Sequence, residues 1–219
     1  MRVLVACEES QEVCKAFRAR GHEAYSCDIQ ECSGGHPEWH IMGDALEVVN
    51  GRCAFRTMDG EKHEISGTWD LLIAHPPCTF ISNAGARWLY KGGKLNQERY
   101  QKGLAAKEFF MKFFDADCPR IAVENPIPSA VYEMPRYTQV IQPYEHGHPW
   151  SKKTCLWLKG LEPLKPTDNV TDYKPFCSSG SYSGTHDPRY KGASRAGGSA
   201  KSRSKTFHGI ARAMAKQWG

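Results

Sequence analysis

The sequence predicts an α/β protein with a mostly parallel, doubly wound sheet, and three segments carry that prediction. Residues 71–74 form an unbroken apolar run, as in a parallel strand covered on both faces, and Pro76 and Pro77 end it. Residues 3–6 and 24–27 are two further short apolar runs, separated by a segment with helical periodicity. Because strands that alternate with helices pair in parallel, we expect one α/β domain.

Composition narrows the class of protein. The 219 residues are 40% hydrophobic, which is enough for one sizeable core with an appendage. The net charge of +5 permits an anionic partner without requiring one. The nine cysteines lack disulfide-framework spacing, no signal peptide is recognisable, and no apolar run approaches the roughly 20 residues that span a bilayer. We therefore expect a cytoplasmic protein with free thiols and no membrane contact.

Residues 3–28 are expected to form a first strand–helix–strand unit. Ser10 is the expected N-cap of a helix over residues 12–20, and Gly21 ends that helix. Asp28 closes the second strand, where an acid can accept hydrogen bonds from ribose hydroxyls or can be an ordinary turn residue. The loop after the first strand lacks the glycines of a dinucleotide fingerprint, which argues against NAD and favours a nucleoside cofactor without a pyrophosphate.

The next segment leaves a metal site open. Cys27, Cys32, His36 and His40 have spacing that could suit zinc, although they lack the tighter CxxC form. The competing interpretation is a polar loop beside the cofactor.

Two more features precede the strand at residues 71–74. Gly43-Asp44 predicts a strand end that carries a second acid to the same edge as Asp28. Asp59-Gly60 is a strong turn signal and predicts a hairpin over residues 54–65.

Two strand ends supply reactive groups. The proline turn holds Cys78 at the carboxyl end of its strand, where it is either a candidate nucleophile or a small buried thiol. A second strand over residues 120–124 ends at Glu124, and Pro126 closes it. Since ligands of open α/β sheets bind at this edge, a thiol and a carboxyl there indicate an active site.

The remaining elements frame these strands. Residues 79–96, rich in glycine, lysine and aromatics, are either a loop that closes over a substrate or a plain connection. Residues 97–115 predict a helix whose buried face carries Ala105, Phe109 and Phe113. A strand follows at residues 155–158, preceded by Lys152 and Lys153, which either neutralise a phosphate or form a solvated turn.

The C-terminal part divides into two pieces. After a catalytic domain over residues 1–162, residues 163–205 predict a flexible, basic segment suited to the phosphate backbone of DNA. Residues 206–219 predict a helix that packs back on the domain through Ile210, Met214 and Trp218.

Taken together, these motifs resemble the DNA cytosine-5 methyltransferase family, most closely its small, phage-type members. Residues 77–82 (Pro-Cys-Thr-Phe-Ile-Ser) are similar to the family's Pro-Cys-Gln-x-Phe-Ser loop, and residues 124–126 (Glu-Asn-Pro) to its Glu-Asn-Val. The resemblance implies a Rossmann-like S-adenosylmethionine-dependent methyltransferase fold. It also implies methyl transfer to carbon 5 of cytosine in DNA, in the host cytoplasm if the protein is phage-encoded.

The resemblance assigns roles residue by residue. Cys78 maps to the nucleophile and Glu124 to the acid that holds N3 of the cytosine. The residues mapped to S-adenosylmethionine are Ala6, Ser10, Asp28, Ile29, Asp44, Ala45, His75 and Pro76. Those mapped to the substrate are Thr79, Ser82, Asn125, Pro126, Lys152 and Lys153.

The chemistry adds two conditions. Cys78 needs a lowered pKa or a nearby base, for which His75 is a candidate helper, because the thiolate is the reactive form. Glu124 can protonate the ring if burial raises its pKa.

Departures from the family pattern keep alternatives open. The family's Phe-Ala-Gly-x-Gly-Gly loop is replaced by the glycine-free Val5–Ser10 sequence, Thr79 replaces the usual glutamine, and the large target-recognition domain is absent. The same chemistry on RNA or a free nucleotide, or with a modified cofactor, is one alternative. A non-catalytic nucleic-acid-binding relative and a zinc protein are the others.

Overall fold

The structure is a computed structural model that describes residues 1–86, 88–176 and 203–219. In chain order the strands are β1 (Arg2–Ala6), β2 (Glu23–Asp28), β3 (His40–Met42), β4 (Cys53–Arg56), β5 (Lys62–Ile65), β6 (Leu71–Ala74), β7 (Tyr90–Lys91), β8 (Lys94–Leu95), β9 (Ile121–Pro126), β10 (Gln139–Ile141), β11 (Trp150–Ser151), β12 (Thr154–Lys159) and β13 (Lys174–Pro175). The helices are α1 (Glu12–Arg18), α2 (Asn83–Ala86), α3 (Gln97–Phe114) and α4 (His208–Trp218).

Seven strands form one sheet in the order β10-β12-β9-β6-β1-β2-β3. The pairs from β9 through β6, β1 and β2 to β3 are all parallel, whereas β12 lies antiparallel between β9 and β10. Strand order reverses beside β1, which creates the crevice where α/β proteins bind ligands. The predicted fold class, an α/β protein with a mostly parallel, doubly wound sheet, is confirmed.

Two apolar layers cover the sheet because alternate strand residues face opposite sides. One layer joins Leu4, Leu72 and Val123 to Phe110 and Phe113 of α3. The other joins residues such as Val5, Ile73 and Leu156 to α1 and α4, and its members from α4 include Ile210, Met214 and Trp218. Helix α4 thus lies against the sheet with these side chains in the core.

The start of α1 differs from the prediction. Gln11, not Ser10, is the N-cap, and it adopts a left-handed conformation with φ of 59°. Ser10 is buried and makes no cap, since the carboxylate of Glu8 accepts hydrogen bonds from the amides of Val13 and Cys14 at 2.7 and 3.2 Å. A side chain that reaches forward from the preceding loop therefore satisfies the first turn of the helix.

The buried face of α3 is rotated from the predicted one. Ala105 is exposed and Phe109 only partly buried, whereas Gly103, Phe110 and Phe113 are buried. A Cβ atom at Gly103 would overlap the ring of Tyr132, so the helix approaches this tyrosine where it has no side chain. The hairpin predicted over residues 54–65 is present as β4 and β5.

The appendage predicted over residues 163–205 lies largely outside the described residues, which omit 177–202. Its first part, up to residue 176, runs along the domain, with Leu164 buried in the core and Lys165 hydrogen-bonded through its backbone to Gln217. Within the described parts of the chain no helix combines the length and apolar character that a membrane crossing needs.

Candidate active site

The turn after β6 holds Cys78 at the carboxyl edge of the sheet. The backbone amide of His75 donates to the carbonyl of Ala6 at 3.0 Å, which continues the pairing of β6 with β1. Pro76 is buried, and its carbonyl accepts from Asn125 Nδ2 at 3.1 Å, which fastens this turn to β9. Cys78 is half-buried, so its thiol is neither sealed in the core nor fully in solvent.

Charges near Cys78 act in opposite directions. Burial raises the pKa of the Cys78 thiol, and the carboxylate of Glu124 raises it further, whereas the ammonium group of Lys152 lowers it. The net shift is upward, so Cys78 lacks the lowered pKa that a preformed thiolate requires. Glu124 and Lys152 are therefore both near enough for their charges to act on the Cys78 thiol.

Glu124 and His75 form a pair between two neighbouring strands. His75 directly follows β6, whereas Glu124 lies within β9, which continues to Pro126 because it pairs there with β12, and does not end at Glu124 as the sequence predicts. His75 Nδ1 lies 3.2 Å from Glu124 Oε2, and their side chains are only 9% and 18% exposed. Burial would lower the pKa of His75, but the hydrogen bond to Glu124 and the negative charges of Glu124 and Glu8 outweigh it and raise this pKa.

The pairing also decides the protonation of Glu124. Burial alone would raise the pKa of Glu124, yet the hydrogen bond and charge of His75, with the charge of Lys152, leave this pKa below its ordinary value. The condition stated above, that burial raises the pKa of Glu124, is therefore not met in the free protein. The pair instead favours a carboxylate beside an imidazolium, with one transferable proton held between the two residues.

Lys152 and Lys153 have different surroundings at this edge of the sheet. Lys152 Nζ donates to the carbonyl of Arg203 at 2.8 Å, which ties β11 to the segment before α4, whereas Lys153 is exposed and its side chain is not among those that shift the pKa of Cys78 or Glu124. A small cleft opens between these elements. Its lining residues are Glu124, Ile141, Lys152, Thr154, Ser204, Lys205, Thr206, Phe207, Ile210 and Met214.

The other predicted substrate residues have mixed positions. Thr79 is exposed, and its carbonyl accepts from the guanidinium of Arg99 at 3.0 Å. Ser82 is buried and pairs with Pro128 in an isolated bridge, so its place is in the support of the loop. Asn125 is buried and acts on the Pro76 turn, and Pro126 is the last residue of β9.

Two carboxylates converge at the other half of the edge. Asp28, at the end of β2, and Asp44, after β3, both raise the pKa of the Cys7 thiol, although burial is the larger cause. Each carboxylate also accepts a local backbone hydrogen bond, from Gln30 and Leu46 respectively. The two acids therefore lie at or just after the ends of the parallel neighbours β2 and β3 and reach the same edge of the sheet, both on one side of β1.

Apolar groups lie beside these acids. Ile29 directly follows Asp28 and is 78% exposed, an unusual position for a large aliphatic side chain. Ala6 at the end of β1 and Ala45 are buried and form part of the support. Carboxylates for ribose hydroxyls next to an exposed apolar surface for a base fit a nucleoside cofactor.

The loop after β1 bends as a glycine-rich loop does, although it contains no glycine. Cys7 has φ of 58°, in the left-handed region that favours glycine, and it stands where the resembled family has its first glycine. The Glu8 carboxylate occupies the first amides of α1, which in dinucleotide-binding proteins face a pyrophosphate. This loop therefore fits a cofactor without phosphate groups, such as S-adenosylmethionine, better than NAD.

The residues of the zinc alternative are engaged elsewhere. His40 bonds Ser26 Oγ and the carbonyl of Gln30 through its two ring nitrogens, and His36 pairs with Glu38 and stacks on Trp39. Among the described residues no three histidines, cysteines or acids are placed to hold a metal ion. The described residues therefore give no support to the zinc alternative.

Glu8 was missed by sequence reasoning. It is buried, burial raises its pKa, and it lies close enough to His75 for the two charges to interact. The sequence signal that could have identified Glu8 is the pair of glutamates at positions where the loop of a cofactor-binding protein has glycines.

Comparisons with known proteins add a likeness of shape. No protein-family model and no curated protein matches the chain. An E. coli prophage protein assigned as a DNA modification methyltransferase is similar with a TM-score of 0.44 at 12% identity, over 78% of this chain and 52% of that chain. The Entamoeba histolytica methyltransferase EhMeth is similar with a TM-score of 0.38 at 11% identity, over 80% of this chain and 57% of that chain. The chain thus spans little more than half the length of either protein.

Proposed function

We propose that this protein transfers a methyl group from S-adenosylmethionine to carbon 5 of cytosine in DNA through a covalent bond between Cys78 and carbon 6. The observation that carries the proposal is that β6 and β9 are parallel neighbours, with the half-buried thiol of Cys78 in the turn after β6 and the largely buried carboxyl of Glu124 on β9, whose charge acts on that thiol. These groups suit a pyrimidine, whose carbon 6 accepts a thiolate and whose N3 accepts a proton.

The residues divide the work as follows. Addition of the Cys78 thiolate to carbon 6 pushes an electron pair toward carbon 5, and Glu124 neutralises the ring by passing a proton to N3. Lys152 favours the thiolate electrostatically, since its charge lowers the pKa of Cys78. After carbon 5 is methylated, the N3 proton returns to Glu124 and solvent takes the carbon 5 proton. The electron pair of that C–H bond restores the double bond and expels the Cys78 thiolate.

The cofactor is assigned to the half of the edge near β1. Asp28 and Asp44 would hold its sugar and adenine, and Ile29 would cover the base. When bound, S-adenosylmethionine supplies an electrophilic methyl group. Glu8 caps α1 and so excludes a pyrophosphate from this place.

The substrate has to leave the duplex to reach these groups, because carbon 6 is inaccessible in stacked DNA. The chain offers a hairpin for this step: β7 and β8 follow the Cys78 turn and expose Trp88 and Tyr90 to 60% and 53%. Exposed aromatic rings can stack on unpaired bases. The basic residues predicted to contact DNA at 177–202 lie outside the described residues.

The test traps the covalent bond. DNA that contains 5-fluorocytosine cannot lose fluorine as a cation, so the adduct should persist and shift the protein on a denaturing gel. We expect an adduct that requires S-adenosylmethionine and is absent in Cys78→Ser, with Cys53→Ser as the control because Cys53 lies in the β4–β5 hairpin. Parallel reactions with RNA and with cytidine monophosphate separate the alternative substrates. Absence of an adduct with every substrate would refute the proposal and favour a non-catalytic relative.

A further inference from the structure

A buried histidine links the two acidic groups of the site. His75 comes directly after β6, and its Nδ1 faces Glu124 Oε2 at 3.2 Å. Its Nε2 is buried and has no hydrogen-bond partner in the part of the chain that the structure describes. Glu8 lies on the β1 side, close enough for its charge to act on the ring.

We propose that His75 is the positioning residue that holds the Glu124 carboxyl in place and supplies the proton that Glu124 passes to the pyrimidine. This inference deepens the proposed function and rests on it. It differs from the sequence-based expectation, which made His75 a helper of Cys78 or a cofactor contact.

Geometry supports a role directed at Glu124. The backbone of His75 is fixed by its bond to Ala6, and the adjacent Pro76 is fastened to Asn125 of β9. The imidazole and the carboxylate therefore start from neighbouring strands that are locked together. A fixed donor on Oε2 leaves Oε1 as the oxygen that can face N3 of a bound base.

The charges around His75 define how the proton moves. The ionisable groups that act on His75 are Glu124 from β9, Glu8 from the loop after β1 and Lys152 from beyond β11. Cys78 gives its thiol proton to solvent and adds to carbon 6 as the thiolate, while the Nδ1 proton crosses to the Glu124 carboxylate and Glu124 delivers it to N3. His75 is left as the neutral tautomer with its proton on Nε2. When the ring is restored, the N3 proton returns through Glu124 to His75 Nδ1. The two carboxylates raise the pKa of His75, which favours the protonated form that starts this sequence.

The first arm of the test needs no substrate. Titration of His75 by NMR, assigned with a His75→Asn variant, should give a pKa above the ordinary 6.5 in the wild-type protein. In Glu124→Gln this pKa should fall by about one unit or more, while in the control Glu61→Gln, on the exposed β4–β5 hairpin, it should not change. An unchanged pKa in Glu124→Gln would overturn the pairing.

The second arm measures formation of the 5-fluorocytosine adduct against pH. His75→Leu should slow adduct formation about 10²-fold. His75→Asn, whose amide can donate to Glu124 but cannot titrate, should recover much of that loss near neutral pH and remove the pH limb that belongs to His75. Equal rates in His75→Asn and His75→Leu, or a wild-type pH profile in both, would overturn the inference.

The arms separate the two levels of the proposal. If the wild-type protein forms no adduct, the proposed function fails and the role of His75 in it fails too, whatever the titration shows. If the wild-type protein forms the adduct and the His75 results are negative, only the inference about His75 is refuted.

Discussion

The two halves of the carboxyl edge differ in what they require of their residues: one requires particular side-chain groups and the other a particular backbone conformation. At the ends of β6 and β9 the arrangement depends on chemical identity, since a thiol, a carboxyl and an imidazole act on one another. At the end of β1 the arrangement depends on the path of the backbone, and Cys7 follows a left-handed path that glycine would normally take. Motif matching therefore detects the first half. It misses the second half, where the backbone keeps the left-handed conformation although the sequence lacks the glycine usually found there.

The largest expected effect falls on the half that depends on identity. Glu124→Gln keeps the shape of the side chain but removes its ability to pass a proton to N3. Methyl transfer should therefore fall about 10²- to 10⁴-fold. Single-turnover transfer of labelled methyl to cytosine DNA measures this, with the exposed Glu108→Gln as the matched control. A loss below tenfold would mean that Glu124 is not the proton donor.

The charges around Cys78 can be tested without any substrate. Because Glu124 raises and Lys152 lowers the pKa of the Cys78 thiol, Glu124→Gln should speed alkylation of Cys78 by iodoacetamide and Lys152→Met should slow it. We expect several-fold changes of opposite sign at pH 8, read by peptide mass spectrometry. Changes of the same sign in both variants would show that packing, not charge, controls this thiol.

The other half can be probed by restoring the glycine. At φ of 58°, Cys7→Gly removes backbone strain that Cys7→Ala retains, so the glycine variant should be more stable than the alanine variant by about 1 kcal/mol. Urea unfolding of both variants gives the difference. Equal stability would indicate that the loop relaxes, and the contrast between the two halves would weaken.

Glu8 gives a smaller, pH-dependent effect. Its pKa is raised, chiefly by burial, so the folded state binds the proton more tightly than the unfolded state. The contribution of Glu8 to stability is therefore complete below its ordinary pKa of 4.5 and declines as pH rises through the higher folded value. Glu8→Gln should flatten this part of the stability curve at a cost of about 1 kcal/mol from the weakened cap. The midpoint of urea unfolding, measured from pH 4 to pH 8, checks this. If the midpoint of Glu8→Gln changes with pH as steeply as that of the wild-type protein, Glu8 is not the group responsible.

The sequence predicts the fold well because the strands carry strong local signals. Unbroken apolar runs end at prolines or acids, and each of these ends reaches the same edge. The same signals place Cys78 in the turn after β6, but the predicted end of β9 at Glu124 is too early, because pairing with β12 extends β9 to Pro126. The sequence could not predict the protonation of Glu124, because the partner that decides it, His75, is 49 residues away along the chain. It also misplaced the cap of α1, since a glutamate that reaches across a left-handed residue leaves no familiar pattern.

The antiparallel strand β12 has a consequence for the order of assembly. It lies between β9 and β10 but follows both in the chain, so the strand that carries Glu124 keeps an unpaired edge until residues 154–159 arrive. Contacts of such long sequence separation form slowly, and an open apolar edge invites pairing with other chains. The strand that carries Glu124 thus gains its second neighbouring strand only after β12 has been synthesised and has entered the gap.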